Sequence, residues 1–515
     1  MADLILNNGN VITMDPAFPK AKWVAIRDGK ILAVGGNDQL KEIRHKSTEI
    51  IDCKGKTVLP GFIDAHLHFH GFAESLVTLN LEHRNNVHSL SDIQMKIRSS
   101  SQNLSSGTWI RGKGYHEFYL AEKRHPTRRD LDVSTSIHPI KLTHRSGHAH
   151  VLNSLALTLL GISKQTPDPP GGMIDRDLKT GEPTGILYGM SDYLARIIPS
   201  IDHDQLEYGI KLANQELLSS GVTSVQDATS HNNKERWEMF HDWKQRRLLK
   251  SRVTLMLGGE GFDEYRRQPF PAQVNEKDLR IGGIKIIVHE VTGRLTPDQN
   301  ELNEMVLHIH RLGFQAILHA IEEPTIEAAC SAIEYALKAF HRSDHRHRIE
   351  HCSVCPPSLA RRLASLGIMV VTQPPFIYYN GERYLRTVPA SNLKHLYPIA
   401  TLMKNGVKVV GSSDCPVVRA KPLIGIYSSV SRRAENGEFV LPEEKISPQE
   451  ALKMYTDEAA KTTFEETIKG SITPGKLADL VLLNGDPTEL PVEATKDIQV
   501  EMTILNGEVV WDGMS

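Results

Sequence analysis

Short apolar runs, alternating or β-branched and broken every few positions by turns, fill the first sixty residues. Asp3–Leu6, Asn10–Thr13, Trp23–Arg27, Lys30–Gly35, Glu49–Asp52 and Thr57–Leu59 read as strands, punctuated by Asn8-Gly9, Asp28-Gly29 and Lys54-Gly55. Such dipeptides suit tight hairpin turns. The C-terminal end has the same texture: Ala478–Leu483 follows the turn Pro474-Gly475, and Val500–Leu505 and Glu508–Trp511 flank Asn506-Gly507. Strand-dense ends around a differently patterned middle predict one small β-domain built from residues 1–59 and 470–515, because chain termini often lie close together.

In the middle, strand-like runs alternate with helical stretches, the pattern of parallel βα units. Eight strands are expected, at Thr57–Asp64, Val222–Asp227, Arg252–Leu257, Gly283–His289, Gln315–His319, Arg346–His351, Gly367–Thr372 and Val407–Ser412. Gly221, Gly313, Gly367 and Gly406 stand where helices would end. Intervening helices are predicted at Gln205–Ser219, Asp298–Arg311, Pro324–Phe340 and Pro357–Leu366. Eight such units argue for a (β/α)8 barrel over residues 60–82 and 204–469. The long gap after the first strand predicts an inserted lobe over residues 83–203, with a strand at Pro139–Thr143 and a turn-rich stretch at 166–172. Because a βα loop opens on the catalytic face of a barrel, this lobe is expected to cover the barrel mouth.

Composition acts mainly by exclusion. The 515 residues are 40% hydrophobic and 24% charged, as in a soluble globular protein. Sixty Lys and Arg against 62 Asp and Glu leave a net charge of −2, and the basic clusters Lys244–Arg247 and Arg342–Arg348 are short. Polyanion binding needs a concentrated basic surface, so no nucleic-acid partner is expected. No run approaches the roughly 18 apolar residues that span a bilayer. The start, Met1-Ala-Asp-Leu-Ile, lacks the basic region of a signal peptide. Five scattered cysteines, Cys53, Cys330, Cys352, Cys355 and Cys415, suit a cytoplasmic, reducing location. Cys352 and Cys355 form a Cys-x-x-Cys with no second pair at finger-like spacing, and are read as small apolar residues. A homodimer is the assembly to test first, dimers being the commonest soluble oligomers.

Candidate chemistry starts at Leu59-Pro-Gly-Phe-Ile-Asp-Ala-His-Leu-His68. Residues two apart on a strand share a face, so His66 and His68 can address one ion such as Zn2+, Fe2+ or Mn2+ from a strand terminus. His319 and His351 end the fifth and sixth predicted strands, which a barrel brings to the same rim. Asp414, after the eighth strand, can bind metal and take a proton from a metal-bound water whose pKa falls towards about 7. Lys285 is flanked by isoleucines and would be costly to bury charged. Two readings stand: an ammonium reaching solvent or a carboxylate, or a lysine carbamylated by CO2 into an anionic bridging ligand. His289, four residues on, is a competing ligand.

These motifs are similar to those of the amidohydrolase superfamily, in its amidohydrolase-3 group of YtcJ-like proteins and N-substituted formamide deformylases. The resemblance runs nearly end to end. It covers Val58–His68, Pro126-Thr-Arg-Arg-Asp-Leu-Asp132, Ser146-Gly-His-Ala-His-Val-Leu-Asn-Ser-Leu-Ala156, Pro169-Pro-Gly-Gly172, Gly181-Glu-Pro-Thr-Gly185 and Gly221-Val-Thr-Ser. It continues through Gly411-Ser-Ser-Asp-Cys-Pro416 and Gly470–Val481. It implies a (β/α)8 barrel with a β-sandwich from both termini, and hydrolysis of an amide-like C–N bond in a small molecule. It implies one or two divalent metal ions, most simply Zn2+, held by His66, His68, His319, His351 and Asp414, with Lys285 where relatives carry a lysine that can be carbamylated. His148 matches a lobe position that would orient or polarise the substrate. Where relatives often have Trp, this chain has Gly114-Tyr115-His116, so Tyr115 and His116 either line the pocket or pack the lobe. Tyr378 and Tyr379, in the segment 373–379, are candidates for an aromatic substrate wall or for Pro-rich loop packing.

The mechanism this implies is attack of metal-bound hydroxide on a carbonyl carbon, with Asp414 as proton carrier and His148 assisting the oxyanion. Ester, carbamate or cyclic-amide hydrolysis would use the same site. A non-catalytic binding or regulatory protein of this fold is the rival of another class, and the complete donor set argues against it. A Cys415 nucleophile lacks a dedicated base.

Overall fold

The computed structural model describes residues 1–36, 43–169, 171–270, 277–291 and 294–513. Pro170, part of the Pro169–Gly172 motif, lies outside the described residues. The chain divides into two compact units, residues 1–68 with 214–515, and residues 69–213.

Eight parallel strands organise the first unit: Phe62–Leu67, Val222–Asp227, Arg252–Leu257, Leu279–Ile287, Ala316–Ala320, Arg348–His351, Met369–Thr372 and Val409–Gly411. Each pairs with the next in chain order. A parallel bridge between Leu67 and Cys415 joins the last strand's exit to the first, with Asp414 N–H donating to His66 O at 2.8 Å and His68 N–H to Cys415 O at 2.8 Å. The result is a (β/α)8 barrel, as expected. Helices Gln299–Arg311, Glu323–Ala339 and Pro357–Ser365 lie between strands as predicted. Asp298 caps the first of these by accepting the Glu301 N–H at 3.0 Å. Gly367, at φ +65°, ends its helix in the left-handed conformation that costs glycine least.

The predicted strand Thr57–Asp64 is two strands. Thr57–Pro60 pairs antiparallel with Leu480–Leu483, whereas Phe62–Leu67 pairs parallel with Val222–Asp227. Gly61 is the crossing point, donating to Asp479 O at 2.8 Å. A Cβ there would stand 2.3 Å from the Thr223 side chain, so only glycine lets the chain pass from one sheet to the other. Pro60-Gly61 marks the change of partner in the sequence.

Both chain ends build the remaining sheets of this unit. One has the order Glu49–Asp52, Leu4–Asn7, Trp23–Arg27, Lys30–Gly35; the other runs Lys20–Ala21, Asn10–Ile12, Thr57–Pro60, Leu480–Leu483, Val500–Leu505, Glu508–Asp512. Leu4, Leu6, Val24 and Ile26 share a buried cluster with Val58, Leu480, Leu482, Met502 and Ile504, so the two sheets bury their apolar faces against each other. Asp479 ties them to the barrel. It receives Arg252 Nε at 2.6 Å and Nη2 at 2.9 Å, and Asn506 N–H at 2.9 Å.

The 69–213 unit is α/β. Its six-stranded sheet has the order Met173–Arg176, Pro183–Tyr188, Ala149–Leu152, Ile140–His144, Ile110–Tyr115, Leu79–Asn80. Its motifs have local structural work. Asn153 Oδ1 accepts the N–H groups of Ile140 (2.9 Å) and Ala156 (3.0 Å). Asp132 accepts from Ser154 N (2.9 Å) and Oγ (2.6 Å). Asp130 Oδ2 accepts from Thr127 N (2.8 Å) and Oγ1 (2.7 Å), closing a capping box.

Candidate metal centre

Four strand ends of the barrel deliver the predicted donors to one place. His66 is buried inside the first strand, and His68 stands one residue past its end, partly exposed. Alternation has aimed both rings at the same rim, with centroids 5.3 Å apart. His351 closes the sixth strand, its ring 5.0 Å from that of His66 and 4.4 Å from that of His319. Asp414 follows the eighth strand, with Oδ1 3.1 Å from His68 Nε2 and 3.6 Å from His66 Nε2. Ligand-type atoms of His66, His351 and Asp414 lie within 4.8 Å of one another. The backbone is left-handed at His351 (φ +71°) and Asp414 (φ +57°). For residues other than glycine this conformation is costly and is typical of functional sites.

Electrostatics suit metal binding. Burial holds the His66 and His319 imidazoles well below their ordinary pKa and lowers that of His351, keeping the rings neutral, as ligands must be. Burial alone would raise Asp414. The His68 hydrogen bond and the facing His66 and His351 overcome it and hold the carboxyl well below the usual range. Lys285 is buried in the fourth strand, and burial pushes its amine down to about 8. Its Nζ has no hydrogen-bond partner, an unusual state for a buried polar atom. Imidazole nitrogens and a carboxylate match the donor preferences of Zn2+ and similar ions, and the residues present fit a divalent metal.

The family model named Amidohydrolase family matches residues 49–511. The chain belongs to the amidohydrolase family. This amidohydrolase is 28% identical to an N-substituted formamide deformylase of Arthrobacter pascens, with 99% of each chain covered. It is 26% identical to the putative amidohydrolase YtcJ of Bacillus subtilis, again over 99% of both. Among solved structures it resembles an uncharacterized metal-dependent hydrolase from Pyrococcus furiosus, with a TM-score of 0.73, 26% identity, and 94% and 100% of the two chains covered. It is a metal-dependent hydrolase of the carbon–nitrogen class.

Sequence reasoning passed over the residues that orient the donors of this amidohydrolase. Glu350 hydrogen bonds His66 Nδ1, Thr229 Oγ1 lies 2.9 Å from His68 Nδ1, and Gln373 Oε1 lies 2.8 Å from His351 Nδ1. Three of the four metal-type imidazoles thus have the outer nitrogen engaged, which fixes ring orientation and tautomer. Glu350 was detectable in principle, since it and Arg348 are two apart on one strand, both fully buried, and Arg348 Nε meets Glu350 Oε1 at 2.7 Å. Asp64, pushed up to about 6 by burial, accepts the N–H groups of His66 (3.2 Å) and Ser413 (3.1 Å) and so joins the first and last strand ends.

His289 falls in a separate hairpin strand, His289–Val291, exposed, with its ring 5.9 Å from that of His319. Tyr378 and Tyr379 are on the helix Pro375–Thr387 rather than in a Pro-rich loop. Pro375 stands at the helix start, where a missing N–H is tolerated. Tyr378 faces Tyr427 at 5.9 Å, and Tyr379 packs on the cluster of Val354, Phe376 and Ile377. Tyr115, His116 and His148 belong to the 69–213 unit. Tyr115 is fully buried and His148 is exposed. Cys352 and Cys355 are buried free thiols. Among the described residues no helix is long and apolar enough to cross a membrane.

Proposed function

We propose that this amidohydrolase cleaves the amide-like C–N bond of a small N-formyl or N-acyl amine. The observation that carries the reading is the meeting of His66, His351 and Asp414 donor atoms within 4.8 Å, beside the buried, unbonded Lys285 Nζ. The name of the Arthrobacter relative, N-substituted formamide deformylase, supports the substrate class.

His66, His68, His319, His351 and Asp414 hold the metal, taken as Zn2+ from its nitrogen and oxygen donors. A divalent ion there supplies Lewis acidity, polarising a carbonyl and bringing a water's pKa towards about 7. Asp414 accepts the proton that the attacking water loses as its oxygen bonds to the carbonyl carbon. It returns that proton to the nitrogen as the C–N bond breaks, so the products are a carboxylic acid and a free amine. Lys285 would act as a carbamate: its amine nitrogen bonds the carbon of CO2 and releases a proton, giving an anionic oxygen donor for the metal. Tyr378 and Tyr379 are the candidates for substrate contacts.

A panel of N-formyl amines, N-acyl amino acids, cyclic amides, esters and carbamates, read by released amine, acid or alcohol, tests this reading. Turnover concentrated on the N-formyl or N-acyl amines is expected. Turnover confined to the esters or the cyclic amides would overturn the substrate class.

A further inference from the structure

A second convergence of metal-type donors lies wholly inside the 69–213 unit. The strand Ile110–Tyr115 runs into His116 and Glu117, and the adjacent parallel strand Ile140–His144 ends in His144. His125 comes from the segment that follows the short turn Glu117–Tyr119. Glu117 Oε2 is the hub, 3.0 Å from His144 Nε2, 3.3 Å from His116 Nδ1 and 3.8 Å from His125 Nε2. Around a tetrahedral ion with bonds of about 2.0–2.1 Å, neighbouring ligand atoms stand about 3.3–3.4 Å apart, in the middle of that spread. Ligand-type atoms of His116, Glu117 and His144 all lie within 4.8 Å of one another.

Two further observations point to an occupant. Glu117 Oε2 and His144 Nε2, the closest pair in the cluster, are both buried, stand 3.0 Å apart and have no hydrogen-bond partner outside the cluster. Buried polar atoms are nearly always bonded, and these two turn only to one another and to the neighbouring histidines, an arrangement that suits a shared ion. The outer ring nitrogens also have oxygen partners: His144 Nδ1 lies 2.8 Å from Ser146 Oγ, and His125 Nδ1 lies 3.0 Å from the Tyr115 hydroxyl. Donation from each Nδ1–H to its oxygen leaves both Nε2 lone pairs aimed at the hub, the way metal-binding imidazoles are held. His116 Nδ1 accepts the Phe118 N–H at 3.2 Å, which makes it the weakest of the four donors.

We propose that Glu117, His125 and His144, with His116 or water as fourth donor, form a second divalent-metal site of the Zn2+ type, made of none of the barrel's donors. Such an ion pins two strand ends and the segment between them, a structural role for which zinc is suited. His116 then serves the ion, and no substrate contact is required of it. The competing arrangement needs no ion: His144 Nδ1 accepts the Ser146 N–H, 3.1 Å away, and Nε2–H turns to Glu117.

Metal content of the full chain separates the two. The ratio of metal to protein is measured by mass spectrometry after dialysis against metal-free buffer. The set is wild type, Glu117→Gln, His144→Asn, and the barrel variant His66→Ala/His68→Ala with and without Glu117→Gln. Glu117→Gln keeps the side chain's shape and guards against a variant that fails to fold. The expected result is one ion fewer in each lobe variant, and one ion fewer when Glu117→Gln is added to the barrel variant. Added Zn2+ should raise the Tm of the barrel variant and leave that of the combined variant unmoved. A wild-type metal ratio in Glu117→Gln, or no difference between the two barrel backgrounds, overturns the proposal.

Discussion

Glu350 and His66 are joined inside the barrel: the carboxylate hydrogen bonds His66 Nδ1 with one oxygen and holds Arg348 Nε at 2.7 Å with the other. The pairing leaves His66 Nε2 directed to the side of Asp414, 3.6 Å away. Arg348 is anchored in turn by Gln226 Oε1 at 2.6 Å. A line of buried side chains therefore sets the angle of the imidazole.

Glu350→Gln keeps the volume and one acceptor while removing the charge that fixes the ring. Loss of such an orienting partner typically weakens metal binding about 10–100-fold. Titration of the metal-free variant with Zn2+ should show that weakening, and unchanged affinity would reduce Glu350 to a packing role.

Asp414→Asn should retain much of the metal, because the histidines remain, while kcat falls by about 10²–10⁴-fold, the usual worth of a proton carrier. Wild-type turnover in this variant would remove Asp414 from proton transfer.

Lys285→Ala should lose barrel metal and recover part of it on addition of short carboxylic acids, which replace a carbamate oxygen. An unchanged metal ratio would favour an unmodified lysine beside a single ion. A CO2 adduct on Lys285, seen by intact mass under bicarbonate, is the direct readout of the modification.

Asp130 carries a pH signature in the lobe. Burial would raise its pKa, but the Arg124 and Thr127 hydrogen bonds bring it from 3.8 down to about 2. Its contribution to stability is therefore present above pH 3.8 and is lost as pH falls through about 2. Asp130→Asn should lower stability at neutral pH by about 1 kcal/mol, a value discounted for the solvent-exposed Arg124. It should also flatten the pH dependence between about 4 and 2 relative to wild type. Thermal melting across that range gives the check, and parallel curves for the two proteins would contradict it.

What was legible in the chain follows from local periodicity. His66 and His68 announce a shared face because they are two apart on a strand. His319 and His351 sit where predicted strands end, so the barrel pattern alone brings them together. Thr229 and Gln373 were not legible, because each meets its histidine only once separate strands are brought side by side. The break at Gly61 falls at Pro60-Gly61, the border drawn between the β-domain and the barrel, although the run Thr57–Asp64 also reads as one strand; the helix Pro375–Thr387 was hidden by a Pro-Pro start that reads equally as a loop. In the lobe, His116, Glu117, His125 and His144 follow no spacing rule; a parallel strand pair assembles them.

The central claim is that the barrel donors hold a metal on which amide hydrolysis depends. Its most direct test is turnover of an N-formyl amine by the purified protein before chelation, after it, and after return of stoichiometric Zn2+. The account predicts amine release that vanishes with the metal and returns with it. Equal turnover by the metal-free protein would contradict it.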